Sequence, residues 1–226
     1  MNNIDKTQTL GQIVAKHPYT VDVLNKYKID FSFKGNTTLE EAIRKQNLLE
    51  SDVISELDLA VDEFKLMKSK VIYWENEPID KILDFIEGHH HKFMNNTMNE
   101  IKMLFLLDNS DSEQQNQLRQ LFFSLQEEME AHQKKEEQNL FTLLREYSSN
   151  RTKELRDRIV KYMIDTEDEH DSAGIIFKKI NTLTNDFSLP EDASPRVVKI
   201  YELLNTLEKE TFVHIHMENS ILFKMI

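Results

Sequence analysis

The chain has 226 residues, 40 of them acidic against 28 basic, for a net charge of −12. No Lys/Arg cluster interleaves with aromatics, so release of counterions from a phosphate backbone would not drive binding, and a nucleic-acid partner is not expected. Cysteine is absent, which removes disulfides, thiolate nucleophiles and sulfur-rich zinc and iron–sulfur sites together.

Any metal must therefore be held by nitrogen and oxygen, and the histidines at 17, 89, 90, 91, 132, 170, 214 and 216 supply the nitrogen. Four Gly and four Pro in the whole length, beside abundant Leu, Glu, Lys, Ile and Met, predict an all-α protein. The N-terminus MNNIDKTQTL lacks the basic-then-apolar order of a secretory signal, and no window approaches the roughly 18 apolar residues of a spanning helix. The expectation is a cytoplasmic protein that does not contact membrane.

In chain order, residues 10–27 carry apolar positions at helical spacing on both sides of Pro18, which predicts two short helices meeting at that proline. IDFSFKGN follows as a turn broken by Gly35. Thr38 and Glu41 have capping-box spacing, and Ser51 opens a further helix through Leu59 and Phe64. These pieces predict a small helical domain over residues 1–62 and a charged linker over 63–77. Pro78 suits a helix start, and four long helices are expected near 78–107, 112–147, 152–184 and 193–225. Their short connections, DNSDS, SSN and NDFSLPEDASP, favour an up-down-up-down four-helix bundle over 78–226. Ile79, Ile82, Leu83 and Ile86, then Leu118, Leu121, Phe122 and Leu125, form the stripes expected to face its core.

The segment HQKKEEQNLF at 132–141 recurs as HIHMENSILF at 214–223. Residues i and i+4 share one helix face, so His132 with Glu136, and His214 with Glu218, can each reach one ion. A single H-x-x-x-E is weak evidence for metal. Two copies place two carboxylates in an apolar core, where they repel and are poorly solvated unless a dication lies between them. His170, in TEDEHDSAG, precedes the small residues Ala173 and Gly174 on the third helix, and LDFIEGHHHKFM offers three consecutive histidines on the first. Four imidazoles and two bridging carboxylates suit two ions. Iron is the first choice, then manganese, with zinc as a substitute, and the logic is that of carboxylate-bridged di-iron bundles.

HQKKEEQNLF, EHDSAG and HIHMENSILF, in this order and spacing, resemble the hemerythrin-like domain of the RIC (ScdA/YtfE) family of di-iron proteins that repair iron–sulfur clusters. LGQIVAKHPYTVDVLNKYKIDFSFKGNTTLEEA is similar to that family's small N-terminal domain, so the resemblance covers nearly the whole chain. It implies a hemerythrin-like bundle in which His132 and His214 are terminal ligands, Glu136 and Glu218 bridge two irons, and His170 is a further ligand. The first-helix ligand is His91 in one register and His90 in the other; His91 is preferred. His89 is assigned to solvent or a supporting position, and His216, two residues from His214, to the surface, as is His17. Glu137 and Asp171 are candidates for orienting imidazoles. The family's adjacent cysteines, in a D-(F/Y)-C-C-G-G turn, are replaced here by Ser32 and Phe33, so no step that needs those thiols can occur in this chain.

The resemblance implies repair of iron–sulfur clusters damaged by oxidative or nitrosative stress, with the protein as iron donor and damaged iron–sulfur proteins as recipients. Open positions on the two irons would admit an oxo or hydroxo bridge, O₂, NO or peroxide. Two other readings use the same site: an O₂- or NO-binding sensor, and an enzyme reducing NO or peroxide. The family also admits a homodimer.

Overall fold

The computed structural model describes residues 4–67, 72–107 and 112–226, and every regular element among them is helical. The chain forms two compact units, one of Met1–Pro78 with Phe212–Ile226 and the other of Ile79–Thr211.

The first unit opens with α1 (Leu10–Lys16), a 3₁₀ turn over Pro18–Thr20, α2 (Val21–Lys26), α3 (Leu39–Lys45) and α4 (Glu50–Met67). Polar caps fix where two of these begin. Thr9 Oγ1 accepts from Gln12 N while the Gln12 side chain accepts from Thr9 N, a reciprocal capping box. Thr38 Oγ1 accepts from Glu41 N at 3.3 Å and starts α3. Pro18 interrupts the ladder as expected, because it has no N–H to donate. α4 runs on through Met67, into the stretch read from sequence as linker. Leu10, Ile13, Leu24, Ile29, Leu39, Val53 and Leu57 are buried together and form the core of this unit.

The C-terminal residues complete that core. Gly11 N donates to Gly35 O at 2.8 Å, and both glycines lie against Ser220. A Cβ built on Gly11 would sit 2.6 Å from Ser220 Oγ and 3.1 Å from Gly35 O, and one on Gly35 would sit 2.7 Å from the same Oγ.

The second unit contains the bundle. Its first long helix is α5 (Ile79–Phe85), a π turn over Ile86–His91 and α6 (Lys92–Leu106). The second is α7 (Glu113–Lys135), a π turn over Glu136–Leu140 and α8 (Phe141–Ser149). α9 (Lys153–Thr184) is the third. The fourth is α10 (Pro195–His216), which leaves this unit after Thr211 and is followed by a π turn over Met217–Leu222. Packing of α5 on α8 and of α6 on α7 makes the first two helices antiparallel. Gln114 Nε2 donates to Leu183 O at 2.6 Å, which sets α9 antiparallel to α7. Arg196 Nη1 donates to Leu107 O at 2.6 Å and does the same for α10 against α6.

This is the expected up-down-up-down order, with helix ends within a few residues of those read from the sequence. The stripe residues Ile79, Ile82, Leu83, Ile86, Leu118, Phe122 and Leu125 are buried, each fully buried side chain contributing about 1.5–3 kcal/mol. Leu121 is only half-buried.

Gly11→Ala is expected to lower stability by about 1–3 kcal/mol, because turning the Ser220 hydroxyl away still leaves Ser220 Cβ and the Gly35 carbonyl too close. Urea denaturation would read this. A Gly11→Ala, Ser220→Gly pair should recover part of the loss, and an unchanged midpoint in Gly11→Ala would show that the contact yields freely.

Candidate metal centre

Within the bundle unit, three imidazoles converge on one carboxylate. Glu136 has no exposed surface. Its Oε2 lies 3.4 Å from His91 Nε2 and 3.3 Å from His132 Nε2, and His132 Nε2 lies 3.2 Å from His170 Nε2. These separations exceed the roughly 2.7–2.9 Å of a charge-assisted hydrogen bond. They match two donors sharing one ion: atoms about 2.1 Å from a metal, at octahedral to tetrahedral angles, are roughly 3.0–3.4 Å apart. Donor atoms of His132, Glu136 and His170 all lie within 4.8 Å of one another. The donor set is therefore one that fits a hard-to-borderline dication, and a dication would offset the cost of holding an ionised carboxylate away from water.

The outer nitrogens show which way the rings present their lone pairs. His91 Nδ1 is 2.7 Å from Glu137 Oε1, and His132 Nδ1 is 2.8 Å from Glu169 Oε2. A carboxylate accepting from Nδ1–H fixes the tautomer and leaves Nε2 as the inward acceptor, the usual arrangement behind a metal-bound histidine. The hydrogen bond from His132 is the largest influence on Glu169. Together with Lys135, 2.8 Å away, it holds that carboxyl down to about 2 against the opposing effect of burial. Glu137 is held below the usual carboxylate range, first by its hydrogen bond from His91.

In the other unit, the C-terminal segment carries the second H-x-x-x-E pair. His214 Nε2 lies 3.2 Å from Glu218 Oε1, and neither residue has exposed surface. Positions 212, 216 and 220 fall on another face of the same segment, and that face is covered by the N-terminal residues. Phe33 meets Phe212 edge-on with ring centroids 5.3 Å apart, and Phe31 meets His216 at 5.8 Å.

His216 is thus 4% exposed, which corrects the expectation that it lies on the surface. Its angular offset from His214 was read correctly, but the Asp30–Gly35 turn packs over it. Burial pushes its imidazole down to about 4, with a partial opposing effect from the Phe31 backbone. Ser32, where the related family has its first cysteine, is buried, and Phe33 N donates to Asp30 Oδ1 at 3.0 Å within the turn.

Of the predicted site residues, the bundle unit brings together His91, His132, Glu136 and His170, and the other unit pairs His214 with Glu218. His91 rather than His90 faces Glu136; His90 Nδ1 instead lies 2.6 Å from Glu210 Oε1. His89 is exposed, Asp171 is exposed and His17 is half-buried. Glu137 does support an imidazole, as the sequence reading allowed. Glu169 and Glu210 were not singled out. The only sequence signal for Glu169 is its place beside His170, one of several acids in TEDEHD, and nothing in a run of acids says which one turns back to another helix. The π turns were also missed. They contain His90, His91, Glu136 and Glu218, and such turns re-aim side chains by inserting a residue into the helix.

Residues 81–226 match the hemerythrin HHE cation-binding domain, and residues 6–61 match the ScdA_N domain, described as a domain of unknown function. Similar full-length proteins carry the name iron-sulfur cluster repair protein. The ScdA of Staphylococcus epidermidis strain RP62A is 22% identical, covering 99% of this chain and 99% of its own length. The ScdA of Staphylococcus haemolyticus is 23% identical, over 97% and 98%, and the YtfE of Escherichia coli O81 is 27% identical, over 96% of each. No helix among the described residues is long and apolar enough to cross a membrane. A buried cluster of imidazoles and a carboxylate inside a four-helix bundle is what a cation-binding domain of this kind requires, and the chain belongs to the hemerythrin HHE family, in the ScdA/YtfE arrangement with an ScdA_N domain ahead of the bundle and no cysteine pair.

Proposed function

We propose that this protein is a non-haem di-iron protein that helps repair iron–sulfur clusters damaged by oxidative or nitrosative stress, acting as an iron donor to the damaged proteins. Its ligands are His91, His132, Glu136, His170, His214 and Glu218, with Glu136 and Glu218 each bridging both ions and the histidines as terminal ligands. The observation that carries this reading is the fully buried Glu136, met at ligand-to-ligand spacing by His91 and His132, with His170 at the same spacing from His132.

The second H-x-x-x-E pair is included because it repeats the first: His214 and Glu218 share one helix face, as His132 and Glu136 do, and neither has exposed surface. The names of the related proteins support the repair role, and the matched domain ranges support the division into a 1–62 domain, a 63–77 connector and a 78–226 metal-binding domain.

Bound iron supplies redox and Lewis-acid chemistry, with positions open to O₂, NO or peroxide. The chain's own residues do the rest. Glu137 and Glu169 keep the Nε2 lone pairs of His91 and His132 aimed inward. Phe141, which is fully buried, stacks on the His91 ring with centroids 5.8 Å apart and helps keep water from the site. Imidazole and carboxylate ligation without thiolates holds iron less tightly than a four-thiolate site, which suits a donor.

Protein purified with iron available should hold about two irons per chain, and a His132→Ala, His214→Ala variant should hold close to none. Iron indifferent to those histidines would overturn the assignment. Glu169→Ala should weaken iron retention against a chelator by about 10–100-fold with the helical circular dichroism unchanged, since it removes only the support behind His132. For the repair role, the iron-loaded protein should restore a damaged cluster enzyme faster than an equal amount of free ferrous iron; equal rates would remove the donor function while leaving the metal site intact.

A further inference from the structure

Just outside the proposed ligands, the π turn Ile86–His91 sets two more imidazoles beside a carboxylate of α10. His90 Nδ1 is 2.6 Å from Glu210 Oε1, and His89 Nε2 is 3.9 Å from the same oxygen. The three donor atoms lie within 4.8 Å of one another. The His90 side chain is buried, that of Glu210 is 19% exposed and that of His89 is 54% exposed, so the group is closed on its inner side and open to water on its outer side.

Phe85 organises both rings. It stacks on His89 with centroids 4.8 Å apart and planes 21° from parallel, and it meets His90 edge-on at 5.1 Å. The two histidines are thereby held with a nitrogen each toward Glu210 rather than spread over the helix surface.

We propose that His89, His90 and Glu210 form a separate, mononuclear site for a borderline divalent cation, zinc or ferrous iron, at the rim of the bundle. Two imidazole nitrogens and one carboxylate oxygen ligate the ion, and water completes its coordination, as in open three-ligand sites. Donors sharing an ion stand roughly 3.0–3.4 Å apart. Binding therefore opens the His90–Glu210 contact by a few tenths of an ångström and draws in the exposed His89 ring. His90 ligates through Nδ1 as its other tautomer: the ring proton moves by way of solvent from Nδ1 to Nε2, and the cation takes its place between Nδ1 and the Glu210 oxygen. The chain's net charge of −12 raises the local cation concentration.

Because His90 adjoins His91 in sequence, the rim ion is placed one residue from an inner ligand, which suits a staging position for ferrous iron moving to or from the inner site. That role rests on the di-iron reading; the rim site itself does not.

The test uses the full chain loaded with iron, exposed to a slight excess of zinc, desalted and assayed for both metals, with zinc X-ray absorption to read the ligand types. One zinc per chain with imidazole ligation is expected above an unchanged iron content. His89→Ala and Glu210→Gln should each weaken zinc binding by at least about tenfold while iron is retained. His89 is exposed, and Gln keeps a hydrogen-bond acceptor for His90, so neither change threatens the fold. Zinc absent from the wild type, indifferent to both substitutions, or gained only as iron is lost would overturn the rim site. A chain that holds no iron yet binds one zinc sensitive to His89→Ala would uphold the rim site and overturn the inner one.

Discussion

The fully buried carboxylate of Glu136 is the constraint around which the bundle unit is arranged. An ionised carboxylate away from water costs several kcal/mol after relaxation, and hydrophobic packing of the neighbouring helices does nothing to reduce that cost. The chain answers it by turning His91 and His132 toward the same oxygen and by fixing both rings from behind with acids nearer the surface. Glu137 and Glu169 are half-exposed, so each keeps part of its hydration while orienting a buried ring. Charge is thus graded outward from the core, with the least solvated carboxylate at the centre and the more solvated ones behind the imidazoles.

The same constraint explains where the helices depart from α geometry. π turns occur at Ile86–His91 and Glu136–Leu140 in the bundle unit and at Met217–Leu222 in the other. α9, which presents His170, continues without one from Lys153 to Thr184. An inserted residue costs local hydrogen-bond geometry and is retained where it re-aims a side chain. Here it separates functions on one turn: in the first helix His91 faces Glu136, while the buried His90 and the exposed His89 turn toward Glu210. Three consecutive histidines therefore serve two different environments.

The C-terminal segment works under a different demand. Its 214 and 218 positions carry the second buried His–Glu pair, while 212, 216 and 220 pack beneath the N-terminal turn and against the two glycines. The turn that bears a cysteine pair in the related family bears Ser32 and Phe33 here, and the aromatic side chain of Phe33 is spent on packing against Phe212. The consequence is chemical as well as structural: the turn offers no thiol to nitric oxide or to a metal in transit, so metal chemistry in this chain rests on nitrogen and oxygen donors alone.

The four long helices, their antiparallel order and the buried stripes were legible in the sequence because each depends on local periodicity and on short, polar connections. The paired H-x-x-x-E motifs were legible for the same reason, since i, i+4 spacing fixes a shared face whatever surrounds the helix. The sequence by itself thus determined an all-α chain with a cysteine-free, histidine- and glutamate-based metal chemistry. Only the tertiary structure decided that His91 and not His90 meets Glu136, that Glu169 supports His132, and that His216 is buried. Each of those depends on which residue of a distant segment comes opposite, and on a π turn that shifts the helical phase. No spacing along a single helix carries that information.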